Sequence, residues 1–463
     1  MRRLIPYVAL IVMLAGVASV LARPAPAAEA DCAFPVTPTT YEDLKNRDLF
    51  LDTIDLAAFN MLFPGDPYFG IPDLESGDRS NRTTQAGLIP PVLLKAIAYI
   101  ESSVTQAGGT IPFGSIGPAL VSFDCGYGIA QVTSGMTLPE GEDGRASPEQ
   151  ALVATHYAYN IARGAAILAS KWNDAPENLP IAGTNTGGNP LVIENWYFAV
   201  WAYNGFTGPG ANRSNHPMDP IYGAWPRKPY SCGPTSDGKG HNRSVYPYQE
   251  LVFGCAANPP VVDGKLLWKA QEVTLPDLKN ATFKNALKLD NFVYPFSKMD
   301  IPSPLPAHLD KTAKPSASDR DRILGKPQLK TSKKTLSVGF KDGHSSVESL
   351  DVLNPGTGVL AWYAVASAPW LQITPYAGAA VGSDLPCAPS VSCDRVGHLE
   401  ISVDPATAPS GAKTATITLY ALGTNQSVTI QVTIDPDGGG GSGGGGGSGS
   451  GSLQLGAPGV AHN

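Results

Sequence analysis

The chain has 463 residues, with 33 lysines and arginines against 40 aspartates and glutamates, and a formal net charge of −7. An acidic chain without a basic patch is not expected to bind nucleic acid, because holding phosphates requires clustered cations. The length exceeds what one hydrophobic core usually organises, which predicts at least two domains. The seven histidines are scattered and no cysteine pair has zinc-finger spacing, so neither a metal site nor a cofactor is expected.

Residues 1–30 have the pattern of a secretory signal peptide. Arg2 and Arg3 precede an apolar run from Leu4 to Leu21, and small-residue cleavage sites end at Ala27 and Ala30. The run approaches membrane-spanning length, so a retained anchor is the alternative. We expect cleavage, which predicts a monomer that is secreted or held in the cell envelope, outside the cytoplasm, with no integral membrane segment.

All six cysteines follow this segment, and an even number in an exported chain predicts disulfide bonds. Six cysteines allow many connectivities. The pairing that we favour is Cys32–Cys125, Cys232–Cys255 and Cys387–Cys393.

The run from Ile89 to Ser103 predicts an amphipathic helix that ends in a carboxylate. At about 100° per residue, Pro90, Leu94 and Ile97 lie within about 40° of Glu101 on the helical wheel. Burial beside this apolar stripe and the negative end of the helix dipole both disfavour a charged carboxylate, so the pKa of Glu101 is expected to be raised. A carboxylic acid that keeps its proton near neutral pH is what cleavage of a glycosidic bond requires. The alternative is a residue whose head reaches water past the helix end.

Three further segments follow in order: Gly126-Tyr-Gly-Ile-Ala-Gln-Val132, a run that begins Asn160-Ile-Ala-Arg-Gly-Ala and extends to Trp172, and Trp201-Ala-Tyr-Asn-Gly205. With Ile100-Glu-Ser102 they resemble the lysozyme-like soluble lytic transglycosylases, which cut the glycan strands of peptidoglycan. The resemblance covers about residues 85–210. The stretch 106–124, rich in glycine and proline, lengthens the spacing relative to compact members of the family and predicts an extra loop.

The resemblance implies a role for each matching residue. Glu101 would be the single acid and base, Gln131 would lie beside the scissile bond, and Tyr203 would orient Glu101. Asn204 would hold the sugar or the neighbouring loop. The residues alone are equally compatible with structural roles, namely packing for Tyr203, a backbone hydrogen bond for Gln131 and a helix C-terminus at Asn204 and the glycine after it. The expected substrate-binding residues are Ser102, which would also brace the first helix, Tyr127, Gln131, Tyr203 and Asn204.

The family resemblance also implies a mechanism and a partner. The acid protonates the leaving oxygen of the MurNAc-GlcNAc β-1,4 bond, the substrate's N-acetyl group stabilises the cation, and the 6-hydroxyl closes a 1,6-anhydro ring. A lysozyme or chitinase-like hydrolase on the same scaffold would need a second carboxylate. A catalytically inert cell-surface glycan-binding protein is the non-enzymatic alternative. The candidates for a second carboxylate are Asp124, Glu140, Glu142 and Asp143.

Further helices are predicted after these motifs. Ser147-Pro-Glu-Gln150 is a capping box with proline at the first helical position, which predicts a helix that runs to about Trp172. A short helix is predicted over 195–203, and 266–292 again has helical patterning. The aromatic-rich stretch 206–258 predicts either a sugar-stacking surface or a loop layer that covers the helices.

The C-terminal part has a different pattern. Alternating runs between 328 and 436 predict about seven strands. Asn354-Pro-Gly-Thr-Gly-Val-Leu-Ala-Trp362 and Ala368-Pro-Trp-Leu-Gln-Ile-Thr-Pro375 resemble the BACON-type immunoglobulin-like domain of bacterial surface and secreted enzymes, a family associated with carbohydrate or glycoprotein binding. Trp362 and Trp370 are expected to fill the core, so no ligand residue is predicted here.

Together these patterns predict a multidomain fold. A mainly α, lysozyme-like catalytic domain with a loop-rich extension occupies 31–300, and an all-β immunoglobulin-like sandwich occupies 328–436. A proline-rich linker over 301–327 joins them, and a flexible Gly/Ser-rich tail over 437–463 follows.

Overall fold

The computed structural model of the chain describes residues 32–174, 180–207, 214–234, 241–287, 299–388, 392–411 and 413–435. The predicted signal peptide at 1–30 and tail at 437–463 lie outside these ranges. No helix within the described ranges has the length and apolar character needed to cross a bilayer.

The helices lie in the part of the chain before residue 325. They are α1 Asp48–Ala58, α2 Pro91–Ser102, α3 Pro148–Thr155, α4 Tyr157–Asn173, α5 Tyr197–Tyr203, α6 Tyr248–Ala257, α7 Ala281–Leu287 and α8 Ala317–Leu324, with 3-10 turns at Thr184–Thr186, Ile193–Trp196 and Arg243–Val245. Helix α2 packs against α1 and α6, and α4 packs against α1, α3 and α5. The C-terminal turn of α2 is therefore close to α6.

Two predicted helices differ from those in the structure. The capping box at Ser147 is present, but the helix it opens ends at Thr155 because His156 is extended, with φ −135°. The His156 ring then accepts a hydrogen bond from Ala158 N at 3.1 Å and so caps α4. Of the predicted 266–292, only α7 is helical within the described ranges, and 288–292 lies outside them.

The strands fall into two larger sheets and several short ribbons. Strands β10 Thr335–Lys341, β11 His344–Ser345, β13 Val359–Ala366, β15 Ala377–Val381, β17 Thr414–Ala421 and β18 Gln426–Asp435 form a six-stranded sheet in the order β11-β10-β18-β17-β13-β15. Strands β9 Lys330–Thr331, β12 Glu348–Leu353, β14 Leu371–Thr374 and β16 Gly397–Val403 form a four-stranded sheet in the order β14-β16-β12-β9. The ribbons pair β1 Thr39–Tyr41 with β4 Ile116–Pro118, β2 Leu74–Gly77 with β3 Arg82–Gln85, β5 Ile181–Ala182 with β8 Asp300–Ile301, and β6 Val261–Val262 with β7 Lys265–Leu266.

The six-stranded sheet curls into a half-barrel. Strands β17 and β18 pair antiparallel from Thr414↔Thr433 to Ala421↔Gln426, whereas β10 runs parallel to β18. Alternate residues of these strands are buried in a core that the two sheets share, as period-2 side-chain alternation requires. Trp362 and Trp370 belong to this core, at 0% and 8% exposure, which confirms the expectation that they fill it.

The predicted fold class, a mainly α lysozyme-like domain followed by an immunoglobulin-like sandwich, is wrong. The described residues are 24% helical and 24% strand. Strand β13 is buried on both faces over its first six residues, and β15 along its whole length. One face packs within the two-sheet core, while Val359, Ala361 and Tyr363 pack with residues of the helical part. Sequence patterning missed this second layer because it treats a sheet's outer face as solvated.

The stretch 301–327, predicted to be a linker, is packed against the rest of the molecule. Ile301 and Ile323 are fully buried, and the Tyr157 hydroxyl donates to Ile323 O at 3.0 Å. Proline-rich composition therefore does not make this stretch an extended spacer.

All three predicted disulfides are confirmed. They join Cys32 to Cys125, Cys232 to Cys255 and Cys387 to Cys393.

Candidate active site

Glu101 lies in the last turn of α2, where the chain turns away sharply. Proline at position 91 starts the helix, and apolar side chains bury most of its length. Ser103 and Val104 both have φ 58°, a left-handed conformation that ends the helix. Their amides donate to Tyr99 O at 2.9 Å and Ala98 O at 3.1 Å, which satisfies the last carbonyls of α2. The backbone that carries the carboxyl is thereby fixed.

Burial raises the pKa of Glu101 to about 7, which is the direction that the sequence predicts. Three neighbours modify this effect: a hydrogen bond from Tyr248 and the positive charge of Arg243 lower the pKa, whereas the negative charge of Asp124 raises it. The Tyr248 hydroxyl donates to Oε1 of Glu101. The carboxyl is thus partly buried, gains and loses its proton near neutral pH and accepts a hydrogen bond from a buried donor.

Tyr248 is the main site residue that sequence reasoning missed. It is the first residue of α6 and is 7% exposed, and proximity to Glu101 adds to the burial that raises its own pKa far above the ordinary range. In the sequence, the surrounding stretch has the composition of aromatic-rich loops. A signal was present in Pro247 followed by an apolar run, which is a helix start, but nothing in the sequence ties that helix to Glu101.

Arg243 contacts the backbone at the C-terminal end of α2, next to Glu101. Its Nη2 donates to Ile100 O at 2.7 Å, so a cation lies at the C-terminal end of α2. This contact was also not predicted, because 143 residues separate the two positions along the chain.

Ser102 braces the end of α2, as the resemblance implies. Its hydroxyl contacts Ala98 O at 3.0 Å and Ile129 O at 2.8 Å, and it accepts from Thr105 N at 3.1 Å. The second contact joins the helix end to the 126–132 loop.

Asn160 of α4 fixes the same loop from the other side. Its Oδ1 accepts from Ala130 N at 2.9 Å, and its Nδ2 donates to Tyr127 O at 2.7 Å and to Val153 O at 3.1 Å. The side chain is fully buried, so each of these bonds satisfies a group that water does not reach. Asn160 therefore holds the 126–132 loop against α4.

Tyr203 lies close to Glu101 but donates to a different acceptor. Its hydroxyl bonds Ala130 O at 2.7 Å, and its pKa is raised by burial and by the charge of Glu101. Gly164 of α4 allows this approach, since a β-carbon there would lie 2.4 Å from Cβ of Ala130 and 3.2 Å from the Tyr203 hydroxyl. Tyr203 therefore supports the 126–132 loop. The hydrogen bond to Glu101 comes from Tyr248 instead.

Gln131 ends the loop with its amide engaged locally. The residue has φ 45°, and its Nε2 donates to Gly128 O at 2.8 Å. This is the backbone hydrogen bond that the sequence left open as an alternative to a contact with substrate.

The two other expected substrate-binding residues differ in exposure. Tyr127 is 1% exposed and packs edge-on against Phe34, with ring centroids 6.0 Å apart, so it has no surface to offer a sugar and its expected contact with substrate is not supported. Asn204 is exposed at the C-terminal end of α5. Tyr127 therefore supports the loop from inside the core.

The predicted extra loop at 106–124 is an ordered segment that includes strand β4 and is packed against the rest of the molecule. The buried carboxylate of Glu42 accepts from Gln106 N at 2.9 Å and Ala107 N at 2.7 Å, and Ile116 N donates to Asp394 O at 2.9 Å. The loop is thus held by the helical part at one point and by the sheets at another.

The candidates for a second carboxylate differ in their surroundings. Asp124 is exposed, and its Oδ1 accepts from the Ser122 hydroxyl at 2.6 Å. Glu140 lies near Gly135, and Asp143 accepts from Arg145 N at 3.0 Å. Among these residues, only Asp124 influences the pKa of Glu101. Within the described ranges, no three His, Cys, Asp or Glu side chains come together in a way that could hold a metal ion.

No protein-family model matches the chain, and no curated protein matches it. Among solved structures, a family 123 glycoside hydrolase from Clostridium perfringens is 10% identical with a TM-score of 0.16, over 22% of this chain and 22% of that chain. The VesB protease of Vibrio cholerae is 10% identical with a TM-score of 0.16, over 23% of this chain and 32% of that chain. This chain therefore spans less than a third of the length of either, and neither likeness bears on fold or function.

Proposed function

We propose that the chain is a secreted lytic transglycosylase that cleaves the MurNAc-GlcNAc β-1,4 bond of peptidoglycan with Glu101 as its single acid and base. The observation that carries the proposal is the carboxyl of Glu101, whose burial raises its pKa to about 7 and which accepts a hydrogen bond from the buried Tyr248 hydroxyl. Such a group can both give and retake a proton at neutral pH. The ordered motifs around residues 101, 131, 160 and 203 support the same class of enzyme.

Each step of the reaction conserves protons. Glu101 gives its proton to the glycosidic oxygen as the bond between that oxygen and the sugar C1 breaks, and the N-acetyl oxygen of the same sugar stabilises C1. The Tyr248 hydroxyl then stabilises the Glu101 carboxylate that has formed. This carboxylate takes the proton of the 6-hydroxyl as its oxygen bonds to C1, which regenerates the acid and leaves a 1,6-anhydro end. No water is consumed.

The test is mass spectrometry of peptidoglycan digested by the purified chain. We expect 1,6-anhydro muramoyl ends from the parent and from Glu400→Gln, a matched loss of an exposed carboxylate on β16. Glu101→Gln should lose at least about 100-fold in rate, since the acid step has no substitute. If Glu101→Gln digests cell walls as fast as the parent, the proposal is wrong.

A hydrolase is the second candidate, and one observation favours it. Asp124 is close enough for its charge to raise the pKa of Glu101, so it could activate a water molecule. A hydrolase would leave reducing ends that incorporate oxygen from isotopically labelled water, and Asp124→Asn would abolish them. If the parent makes no cut at all, both enzyme proposals are wrong.

A further inference from the structure

A groove runs along one face of α4, between this helix and the segment 65–72. It encloses about 960 Å³, including its open mouth. The α4 residues that line it lie at helical spacing, which places them on one side of the helix: Arg163, Ala166, Ile167, Ser170 and Lys171.

Two cations face this groove without a counter-ion. Arg163 and Lys171 form no ion pair with any residue in the described part of the chain. The Arg163 guanidinium stacks on the Tyr68 ring at 3.8 Å and its Nη1 donates to Tyr68 O at 3.0 Å, so the group is held in place rather than free in solvent. Its Nε has no hydrogen-bond partner among the described residues.

The groove's own carboxylate does not neutralise both cations. Asp66 accepts hydrogen bonds from the amides of Tyr68 and Phe69, both at 2.8 Å, and so caps the turn that forms one wall. One carboxylate against two cations leaves a surplus positive charge. The groove therefore differs from the chain as a whole, whose net charge is −7.

The groove adjoins the candidate active site. Arg163 precedes Gly164, which lies against Ala130 and the Tyr203 hydroxyl. Ser134, on the opposite wall, is three residues beyond Gln131 in the chain. The charges of both Glu101 and Arg163 act on the Tyr203 hydroxyl, so the groove begins beside the surroundings of Glu101.

We propose that the groove binds a carboxylate-bearing peptide branch of the glycan on which Glu101 acts. A neutral N-acetylated sugar offers hydroxyls and amides but no carboxylate, which is the group that a planar guanidinium and an ammonium match. The inference rests on the proposed function for the identity of the glycan, but the binding step can be measured without cleavage.

The experiment measures dissociation constants with the full chain carrying Glu101→Gln. Two ligands are compared: a tetrasaccharide that carries muramoyl-peptide branches, and N-acetylchitotetraose, which carries no carboxylate. In this background, Lys171→Gln should weaken binding of the branched ligand about threefold and Arg163→Gln about tenfold, and binding should weaken further with added salt. Binding of N-acetylchitotetraose should change less than twofold. Lys413→Gln, which removes an exposed cation beyond the groove, is the matched control.

Arg163→Lys separates ligand binding from folding. It keeps the charge and loses the planar fork, so it should retain the melting temperature of the parent and recover only part of the affinity lost in Arg163→Gln. The proposal is overturned if both ligands weaken equally, if neither weakens when Arg163→Gln and Lys171→Gln are combined in the Glu101→Gln background, or if the branched ligand does not bind. If the branched ligand binds through Arg163 and Lys171 while the parent cuts no glycan, the groove proposal stands and the proposed function fails.

Discussion

At the scale of single residues, Glu101 shows how much a sequence can say about chemistry and where it stops. The apolar stripe of α2 predicts a buried acid with a raised pKa, because helical periodicity is local. The donor to that acid could not be predicted, since Tyr248 lies 147 residues further along the chain. Periodicity places a side chain on a face, but the partner that meets that face is fixed by tertiary packing.

The pKa of Glu101 sets a pH dependence of activity. Glycan cleavage requires the protonated acid, so kcat/KM should fall as the pH rises through about 7. Tyr248→Phe removes a hydrogen bond that favours the carboxylate, which raises the pKa of Glu101 further and moves this alkaline limb to higher pH. A loss of about tenfold in kcat is also expected, because the carboxylate formed in the first step loses its donor. A pH-rate profile of both proteins checks this, and an unmoved limb in Tyr248→Phe would contradict it.

The same pKa predicts an effect on stability. A carboxyl whose pKa is raised in the folded state binds its proton more tightly there than in the unfolded chain. The contribution of Glu101 to the free energy of unfolding is therefore largest below the unfolded pKa of 4.5 and is lost as the pH rises through about 7.

Glu101→Gln has no proton to lose, so its free energy of unfolding should exceed that of the parent by about 1–3 kcal/mol at pH 8 and match it near pH 4. Urea unfolding at the two pH values measures the difference, with Glu400→Gln as the exposed-acid control. Equal stability of parent and variant at both pH values would show that burial does not raise the pKa of Glu101 in the folded state.

At the scale of elements, α4 joins several parts of the site through two unlike residues. Asn160 bonds the 126–132 loop, and Gly164 leaves room for Ala130 and Tyr203. Both positions belong to a motif that sequence reasoning recognised, but their physical roles are contacts between elements and became visible only in the structure. The break at His156 was not predictable from propensity, because residues on either side of it favour helix.

Gly164→Ala should displace the loop it touches. A methyl group 2.4 Å from Cβ of Ala130 forces the two elements apart, which is expected to cost about 1–3 kcal/mol in the free energy of unfolding and to lower kcat more than KM changes. Thermal melting and steady-state kinetics provide the measurement. Gly144→Ala is a control for the substitution itself, since nothing lies within 4 Å of a β-carbon there, although its φ of 75° adds local strain.

At the scale of the whole molecule, the sequence predicts separate domains, whereas in the structure strands β13 and β15 share a buried layer with the helical part. Tyr363 donates to Ala146 O at 2.9 Å, and Arg145 lies over the Tyr376 ring at 4.0 Å. The apolar run of β13 is compatible with a strand, but contacts between distant segments decide whether water or helices cover its second face.

This shared core predicts joint unfolding. A chain that ends at residue 326 would expose the apolar surface that β13 and β15 cover, so it should bind the dye ANS and lack a sharp thermal transition. The full chain should melt in one transition. Circular dichroism, recorded at wavelengths that report helix and strand, measures it. Two separate transitions, or a truncated chain that melts sharply and remains active, would contradict this expectation.

The bond between Cys32 and Cys125 closes a ring over a separation of 93 residues. Helices α1 and α2 and the carboxyl of Glu101 all lie inside that ring, and the turn before the Gln131 loop is its closing point. Thiols stay reduced in the cytosol, so a newly made chain there lacks the ring. Covalent closure of the ring around the site therefore follows oxidation and requires a compartment where that bond can form.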